Sequence, residues 1–314
     1  MTLLKAQYQQ RGPIPQDVIS PATFDKPVLS AGQALIRVLA APINPSDVLT
    51  LTGQYGMLPP LPAIGGNEGV GRVAALGAAP DGQPQHLSVG DLVLLPVGAG
   101  TWRSHLLADA RRLVALPAGA DPLQLSMLTV NPATAALLLS EFVALQPGDW
   151  VVQNAANSAV GGYLVQLARA RGLRTVNVVR RDGAVAAVQA AGGDVVLVDG
   201  DDLHRRVKAA IEAAGGNLPR LAIDAVGGAA TDRLARSVAE GGCVVNYGMM
   251  GGDACQLSPA NFVFRDVTLR GFWLAKWFRT ATRDAQRALF GELTRLVATG
   301  QLSARVHATY PLTR

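Results

Sequence analysis

A loop of small residues lies where a strand-like segment changes to a helix-like one. Trp150-Val151-Val152-Gln153 is followed by Asn154-Ala155-Ala156-Asn157-Ser158-Ala159-Val160-Gly161. Of the three glycines in a dinucleotide-binding fingerprint, only the third is present, where helix and strand pack closely. Small side chains still let a pyrophosphate reach the helix N-terminus, whose free N–H groups favour anions. The loop predicts dinucleotide contacts at six positions: Asn154, Asn157, Ser158, Ala159, Val160 and Gly161.

The end of the next strand indicates which dinucleotide is bound. NAD-binding proteins place an acid there for the ribose 2′-hydroxyl, whereas NADP-binding proteins need cations for the 2′-phosphate. Here Asn177-Val178-Val179 leads into Arg180-Arg181, and the first acid is Asp182. An arginine guanidinium binds phosphate through parallel N–H donors. Arg180 and Arg181 therefore favour NADPH, the alternative being an ordinary solvated arginine pair.

Other catalytic arrangements do not occur in the sequence. The four histidines show no ligand spacing, and there is no Gly-x-Ser-x-Gly or Walker motif. Cys243 and Cys255 lack a neighbouring histidine, so a thiolate nucleophile is not expected. With only two cysteines, the chain fits a reducing compartment rather than a disulfide framework. We expect a cytoplasmic protein, because Met1 to Arg11 is too short and polar for a signal peptide and no apolar run could span a membrane.

Composition sets the size of the fold and limits its partners. The chain has 314 residues, about two domains' worth, and 49% of them are hydrophobic, which predicts large buried cores. The net charge is +5, yet charged residues make up only 16% and no five-residue basic run exists, which argues against nucleic acid. A solvated basic surface explains the charge, as does attraction to NADPH, coenzyme A or an acidic carrier protein.

The order of the predicted elements indicates an α/β protein. Up to about residue 120, short strands broken by Pro and Gly predict a mostly antiparallel β domain. Asp121-Pro122-Leu123-Gln124 is a helix start. Strands then alternate with helices of about ten residues, which is typical of a doubly wound parallel sheet. Its six predicted strands are Trp150–Gln153, Arg174–Val179, Asp194–Val198, Leu221–Asp224, Gly242–Asn246 and Val267–Phe272. A helix over Arg283–Gly300 and a strand over Ala304–Tyr310 complete the prediction.

Three segments near the N-terminus carry a family resemblance: Asn44-Pro45-Ser46-Asp47, Gly53-Gln54-Tyr55-Gly56 and Gly65-Gly66-Asn67-Glu68-Gly69-Val70-Gly71. Together with the loop beginning at Asn154, they resemble the zinc-free branch of the medium-chain dehydrogenase/reductase superfamily, most closely its enoyl thioester reductases. Zinc alcohol dehydrogenases have Cys and His where this chain has Asn44 and Asn67. Amides are poor substitutes for these zinc ligands, so no metal site is expected.

The resemblance also implies roles for individual residues. Tyr55 matches the proton donor of the family, and a phenol, with an ordinary pKa of about 10, is protonated at neutral pH. Asn44 is expected to orient the substrate or the nicotinamide ribose, or only to cap a helix. Trp102 is expected in the substrate pocket wall or in packing. Two loops are expected near the nicotinamide, one with Tyr247, Gly248, Met249 and Met250, the other with Phe272, Trp273 and Leu274, although the two aromatic side chains also suit core packing.

The resemblance implies a GroES-like catalytic domain over 1–120, a Rossmann NADPH-binding domain over 121–273, and a return helix and strand over 274–314. Family members continue past this point with another helix and a closing strand, so by this resemblance either the chain is shortened or its β domain is completed differently. It also implies a homodimer joined along the sixth strand, whose apolar edge needs covering.

The predicted activity is NADPH-dependent reduction of trans-2-enoyl thioesters of coenzyme A or acyl carrier protein, a step of fatty acid biosynthesis. The alternative enzyme is an NADPH:quinone oxidoreductase. A third alternative is a non-catalytic, crystallin-like or nucleic-acid-binding relative that retains NADPH; Tyr55 within Gly-Gln-Tyr-Gly argues against it.

Overall fold

The structure, a computed structural model, describes residues 2–79 and 86–313. The chain forms two compact units, one of Met1–Val130 with Phe290–Arg314 and the other of Asn131–Leu289. The first unit contains antiparallel sheets and the second a parallel sheet flanked by helices, which confirms the predicted α/β class.

The first unit has two antiparallel sheets, in the orders β2-β1-β4 and β7-β3-β5-β6-β8. A core that includes Ala34, Ile36, Val73, Val93 and Leu106 packs on the larger sheet. The strands are β1 Leu3–Tyr8, β2 Ile19–Phe24, β3 Gln33–Ala40, β4 Ala63–Ile64, β5 Val70–Leu76, β6 Leu92–Leu94, β7 His105–Asp109 and β8 Val114–Ala115. The helices are α1 Pro15–Val18, α2 Pro45–Thr52 and α3 Pro122–Ser126.

The second unit is a six-stranded parallel sheet in the order β11-β10-β9-β12-β13-β14. Its strands are β9 Trp150–Gln153, β10 Arg174–Val179, β11 Val195–Val198, β12 Leu221–Asp224, β13 Cys243–Asn246 and β14 Thr268–Gly271. Its helices are α4 Asn131–Leu138, α5 Ala159–Ala170, α6 Val185–Ala190, α7 Leu203–Ala213, α8 Ala229–Ser237, α9 Pro259–Phe262 and α10 Leu274–Thr280. The strand order reverses between β9 and β12, and ligands of such sheets bind at the carboxyl ends beside that reversal.

The C-terminal region corrects one prediction. Helix α11, Arg283–Ala298, forms as expected and is followed by Gly300 at φ 70°. The predicted strand over Ala304–Tyr310 is wrong, because residues 303–310 have no regular secondary structure. The backbone N–H and C=O of Ala304 bond instead to the side-chain amide of Gln124, each at 2.9 Å. Within the described ranges, no helix is long and apolar enough to cross a membrane.

Candidate active site

Helix α2 begins at a buried asparagine. Asn44 is 3% exposed and forms a reciprocal capping box with Asp47, while Pro45 takes the first helical position. The Asn44 backbone N–H donates to Asp47 Oδ2 at 2.8 Å, and Asn44 Nδ2 donates to Glu68 Oε1 at 2.8 Å. Asn44 thus satisfies the helix-capping alternative, and its role toward a substrate or ribose remains a prediction.

Asn44 and Asp47 belong to a larger set of polar groups. Asn67 Nδ2 donates to Asp47 Oδ1 at 2.7 Å. Glu68, which is fully buried, accepts at Oε2 from the backbone N–H groups of Thr129 and Val130, both at 2.9 Å. We call Asn44, Asp47, Asn67 and Glu68 the amide–carboxylate cluster. Each amide donates to a carboxylate.

Burial governs the electrostatics of this cluster. It raises the pKa of Glu68 to about 8, although the Asn44 amide and the Val130 and Thr129 N–H groups oppose the shift. It also raises the pKa of Asp47 to about 6. Among the described residues, no group of three or more His, Cys, Asp or Glu side chains could hold a metal ion.

Tyr55 lies immediately beyond the other end of α2. Gly53 adopts a left-handed conformation at φ 80° and closes the helix. The N–H groups of Gln54 and Tyr55 both donate to the Leu49 carbonyl, at 2.8 and 3.1 Å. Tyr55 is half-buried. Seven residues, most of them in α2, separate Asp47 of the cluster from Tyr55. The position of the phenol therefore depends on the placement of α2.

Arg11 is a residue near Tyr55 that the sequence analysis missed. Its Nη2 donates to the carbonyl of Pro59, and its Cδ lies 3.3 Å from where a Cβ on Gly53 would stand. The side chain thus contacts the Tyr55 loop on both sides of the tyrosine. Nothing in the sequence distinguishes Arg11 from a solvated arginine, because its contacts are 42 and 48 residues away along the chain.

Trp102 packs closely against backbone. Its Nε1 donates to the Pro42 carbonyl at 3.0 Å. A Cβ on Gly65 or Gly66 would lie 2.2 or 2.5 Å from its indole ring. The indole ring can therefore lie this close to the backbone only because residues 65 and 66 are both glycines. This contact agrees with the packing alternative, and a place for Trp102 in the substrate pocket remains a prediction.

The loop after β9 leads into the N-terminus of α5. Asn154 is buried, Ala155 has a φ of 47°, and Ser158 caps α5 by accepting from the Gly161 N–H at 3.1 Å. A Cβ on Gly161 would lie 2.5 Å from the Ala156 carbonyl oxygen. Asn157 and Ala159 are exposed, and Val160 is buried. The N-terminus of α5 therefore begins among mostly small or polar side chains, which let a pyrophosphate approach it.

The two arginines after β10 are both exposed. Because β10 is the direct neighbour of β9, Arg180 and Arg181 follow the strand next to the Asn154 loop. The residues present fit NADPH: small residues at the α5 N-terminus suit the pyrophosphate, and exposed guanidiniums suit a 2′-phosphate.

The loop after β13 reaches the α5 cap. Burial raises the pKa of Tyr247, and the Ser158 side chain, which caps α5, opposes the shift. The Tyr247 N–H donates to the Asp224 carbonyl at 2.9 Å. A Cβ on Gly248 would lie 2.9 Å from the Ala225 carbonyl oxygen. The Met249 and Met250 side chains are exposed by 51% and 60%.

The segment after β14 begins beside the end of β13. The Phe272 N–H donates to the Asn246 carbonyl at 2.8 Å, and its ring packs edge-on against Phe142. Trp273 precedes α10, of which Leu274 is the first residue, and the Arg279 guanidinium lies 5.1 Å from the Trp273 ring centroid. The structure therefore brings the loops at Asn154, Tyr247 and Phe272 to the same edge of the sheet, while their contacts with a nucleotide remain predictions.

Family models match both parts of the chain. Residues 30–118 match the alcohol dehydrogenase GroES-like domain and residues 159–290 match the zinc-binding dehydrogenase model. At the two places where zinc alcohol dehydrogenases have Cys and His ligands, the Asn44 and Asn67 amides donate to carboxylates, so these two residues do not fit a zinc ion.

Individual relatives are more specific. The chain is 38% identical over 303 residues to the mitochondrial enoyl-[acyl-carrier-protein] reductase of Rattus norvegicus, covering 95% of this chain and 80% of the relative. The Homo sapiens enzyme of the same name is 37% identical over the same shares.

Solved structures agree with these relatives. One described as the Etr1p/NADP/crotonyl-CoA complex has a TM-score of 0.88 at 26% identity, covering 100% of this chain and 94% of that one. One described as a putative NADPH:quinone reductase from Bacillus thuringiensis has a TM-score of 0.86 at 29% identity, covering 100% and 92%. The chain belongs to the medium-chain dehydrogenase/reductase superfamily and, within it, to the enoyl-[acyl-carrier-protein] reductase family.

Proposed function

We propose that this protein reduces trans-2-enoyl thioesters of coenzyme A or acyl carrier protein to acyl thioesters, with NADPH as reductant. The observation that carries the proposal is Tyr55, held by its backbone at the end of α2 within Gly-Gln-Tyr-Gly. A phenol is a suitable acid for protonating a carbon at neutral pH. The relatives named enoyl-[acyl-carrier-protein] reductase support the same reaction.

The proposed chemistry divides the two added hydrogens between cofactor and protein. When bound, NADPH supplies a hydride to the β-carbon, which leaves a thioester enolate. Tyr55 gives its phenolic proton to the α-carbon, and solvent returns a proton to the phenolate. Arg180, Arg181 and the Asn154 loop hold the nucleotide in this proposal, with the loops at Tyr247 and Phe272 beside the nicotinamide.

A thioester panel tests this function. NADPH oxidation is followed with crotonyl, hexenoyl and decenoyl thioesters of coenzyme A and of carrier protein, beside a panel of quinones. We expect turnover with the thioesters and little with the quinones. A structure described as a putative NADPH:quinone reductase is similar to this chain. Turnover of quinones without turnover of thioesters is therefore the main alternative outcome. Turnover of quinones alone would reject the proposal.

We further propose a homodimer that acts in fatty acid biosynthesis in the cytoplasm. Supporting the dimer, β14 ends the sheet, and no described residue pairs with its outer edge. Phe262, Val263 and Phe264, which precede β14, are exposed by 49%, 57% and 78%.

A reducing location agrees with the free thiols Cys243 and Cys255. The relatives named above are mitochondrial, so location needs its own measurement.

A further inference from the structure

A fully buried carboxylate stands at the centre of the nucleotide-binding edge. Asp224 is the last residue of β12, and β12 lies between β9 and β13 in the sheet. Its exposure is 0%. An ionised carboxylate only accepts hydrogen bonds, and burying one is costly unless donors surround it. The donors around Asp224 therefore indicate what this acid holds in place.

Five donors converge on this side chain. Oδ1 accepts from Asn154 Nδ2 at 2.6 Å, and Oδ2 accepts from Asn246 Nδ2 at 3.0 Å and Thr231 Oγ1 at 2.7 Å. The backbone N–H groups of residues 226 and 227 also donate to Oδ1, at 2.9 and 3.1 Å. Their sum keeps the pKa of Asp224 below its usual value despite burial.

Two of these donors lie in or directly before the predicted cofactor loops. Asn154 opens the loop that leads to α5, and its Oδ1 accepts from the Ala225 N–H at 2.7 Å. Asn246 precedes Tyr247, and its Nδ2 also donates to the Gly248 carbonyl at 2.9 Å. One carboxylate therefore fixes the loops after β9 and β13 relative to each other.

We propose that Asp224 is a positioning residue for the NADPH site, which sets the Asn154 and Tyr247 loops before the nucleotide binds. The negative charge matters as much as the shape. Asparagine at this position has one acceptor oxygen and one NH₂ group, so that NH₂ group would face the donor amide of Asn154 or Asn246. The proposal rests on NADPH being the cofactor, but not on which substrate is reduced.

Asp232 provides a matched control in the same unit. It is also buried and accepts from the Ser258 N–H at 2.8 Å, from Asn261 Nδ2 at 2.7 Å and from Arg236 at 2.7 Å. Its bonds connect α8 to α9 and touch none of the predicted cofactor loops. Asp232→Asn therefore removes a buried, hydrogen-bonded carboxylate from the same unit without touching the predicted cofactor loops.

The test is titration of NADPH fluorescence against wild type, Asp224→Asn and Asp232→Asn, at a temperature where all three are folded. We expect Asp224→Asn to bind NADPH at least tenfold more weakly and Asp232→Asn to bind within about twofold of wild type. With NADPH saturating, the KM for the thioester should not change in Asp224→Asn.

If Asp224→Asn does not fold, Asn246→Ser removes one of its donors at a residue outside the predicted nucleotide contacts and should weaken NADPH binding by several-fold. Unchanged NADPH affinity in the folded Asp224 variant, or equal losses in both aspartate variants, would overturn the proposal. A wild-type protein that binds NADPH but reduces no enoyl thioester would reject the proposed function and leave this test intact.

Discussion

Asn44 Nδ2 lies 2.8 Å from Glu68 Oε1, which joins the first turn of α2 to a fully buried acid. Glu68 is bonded in turn to the backbone at Thr129 and Val130. The helix that begins at this pair ends at Gly53, two residues before Tyr55. The amide–carboxylate cluster therefore anchors the helix whose far end presents the proposed proton donor.

Tyr55→Phe should keep the fold and the NADPH affinity while lowering enoyl thioester turnover by roughly 10²–10⁴, the range for loss of a general acid. The loss should fall on kcat more than on KM, because the hydroxyl acts mainly in the transition state. Steady-state kinetics in H₂O and D₂O would measure both effects. A raised KM with kcat nearly unchanged would mean that the hydroxyl only orients the thioester, and surviving quinone turnover would favour the quinone reductase alternative.

Arg180→Ala should remove most of the preference for NADPH over NADH. We expect wild type to bind NADPH at least tenfold more tightly, because a hydrogen bond to a charged group contributes about 1.5–3 kcal/mol. Fluorescence titration with both reduced cofactors measures the ratio. Arg205→Ala, at an exposed arginine on α7, is the matched control and should keep the preference. Equal wild-type affinities for the two cofactors would contradict the prediction.

Glu68→Gln should flatten the dependence of stability on pH between about 6 and 8. Burial raises the pKa of Glu68 to about 8, so in this range the folded protein holds a proton that the unfolded chain has released. The free energy of unfolding then falls as pH rises. The measurement is thermal unfolding at pH 6 and at pH 8. Between these two pH values the Tm of wild type should fall by more than the Tm of the variant, by about 2–4 °C for each kcal/mol of unfolding free energy lost.

The control for that experiment is Glu240→Gln, at an exposed glutamate, which should keep the wild-type slope. Asp47 contributes to the pH dependence of stability only near the lower end of this pH range, because its pKa is raised to about 6. A wild-type slope in Glu68→Gln would show that another group titrates in this range.

The exposed edge of β14 predicts self-association. Sedimentation at micromolar concentration should give a dimer, and Leu269→Lys, which places a charge at a residue 37% exposed on that strand, should shift it toward monomer. A wild-type monomer would refute the homodimer.

Local patterns in the sequence were sufficient for most of the architecture. The start of α2 at Asn44 and the six strands from β9 to β14 follow from caps, periodicity and turn residues. The wrong strand over Ala304–Tyr310 had apolar and β-branched residues, but the Gln124 side chain takes the backbone groups of Ala304. Periodicity carries no information about a partner 180 residues away.

The connections within the candidate sites needed the structure. The sequence predicts Asp224 only as the last residue of a strand, because its five donors come together only once β12 is placed between β9 and β13. Glu68 was expected only as part of a family motif, and its backbone donors lie 61 and 62 residues away. Buried polar groups that join distant segments depend on strand order, which pairwise spacing does not express.

Gly161 limits which substitutions the loop after β9 can accept. A methyl group there would stand 2.5 Å from the Ala156 carbonyl oxygen, so the backbone itself would have to move. At the places of the first two fingerprint glycines this chain has Ala156 and Ser158, so those places accept a side chain. In an exhaustive substitution library, Gly161 should therefore be the intolerant position of the loop. A motif search that requires the first glycine would therefore miss this chain, whereas one weighted toward the third would find it.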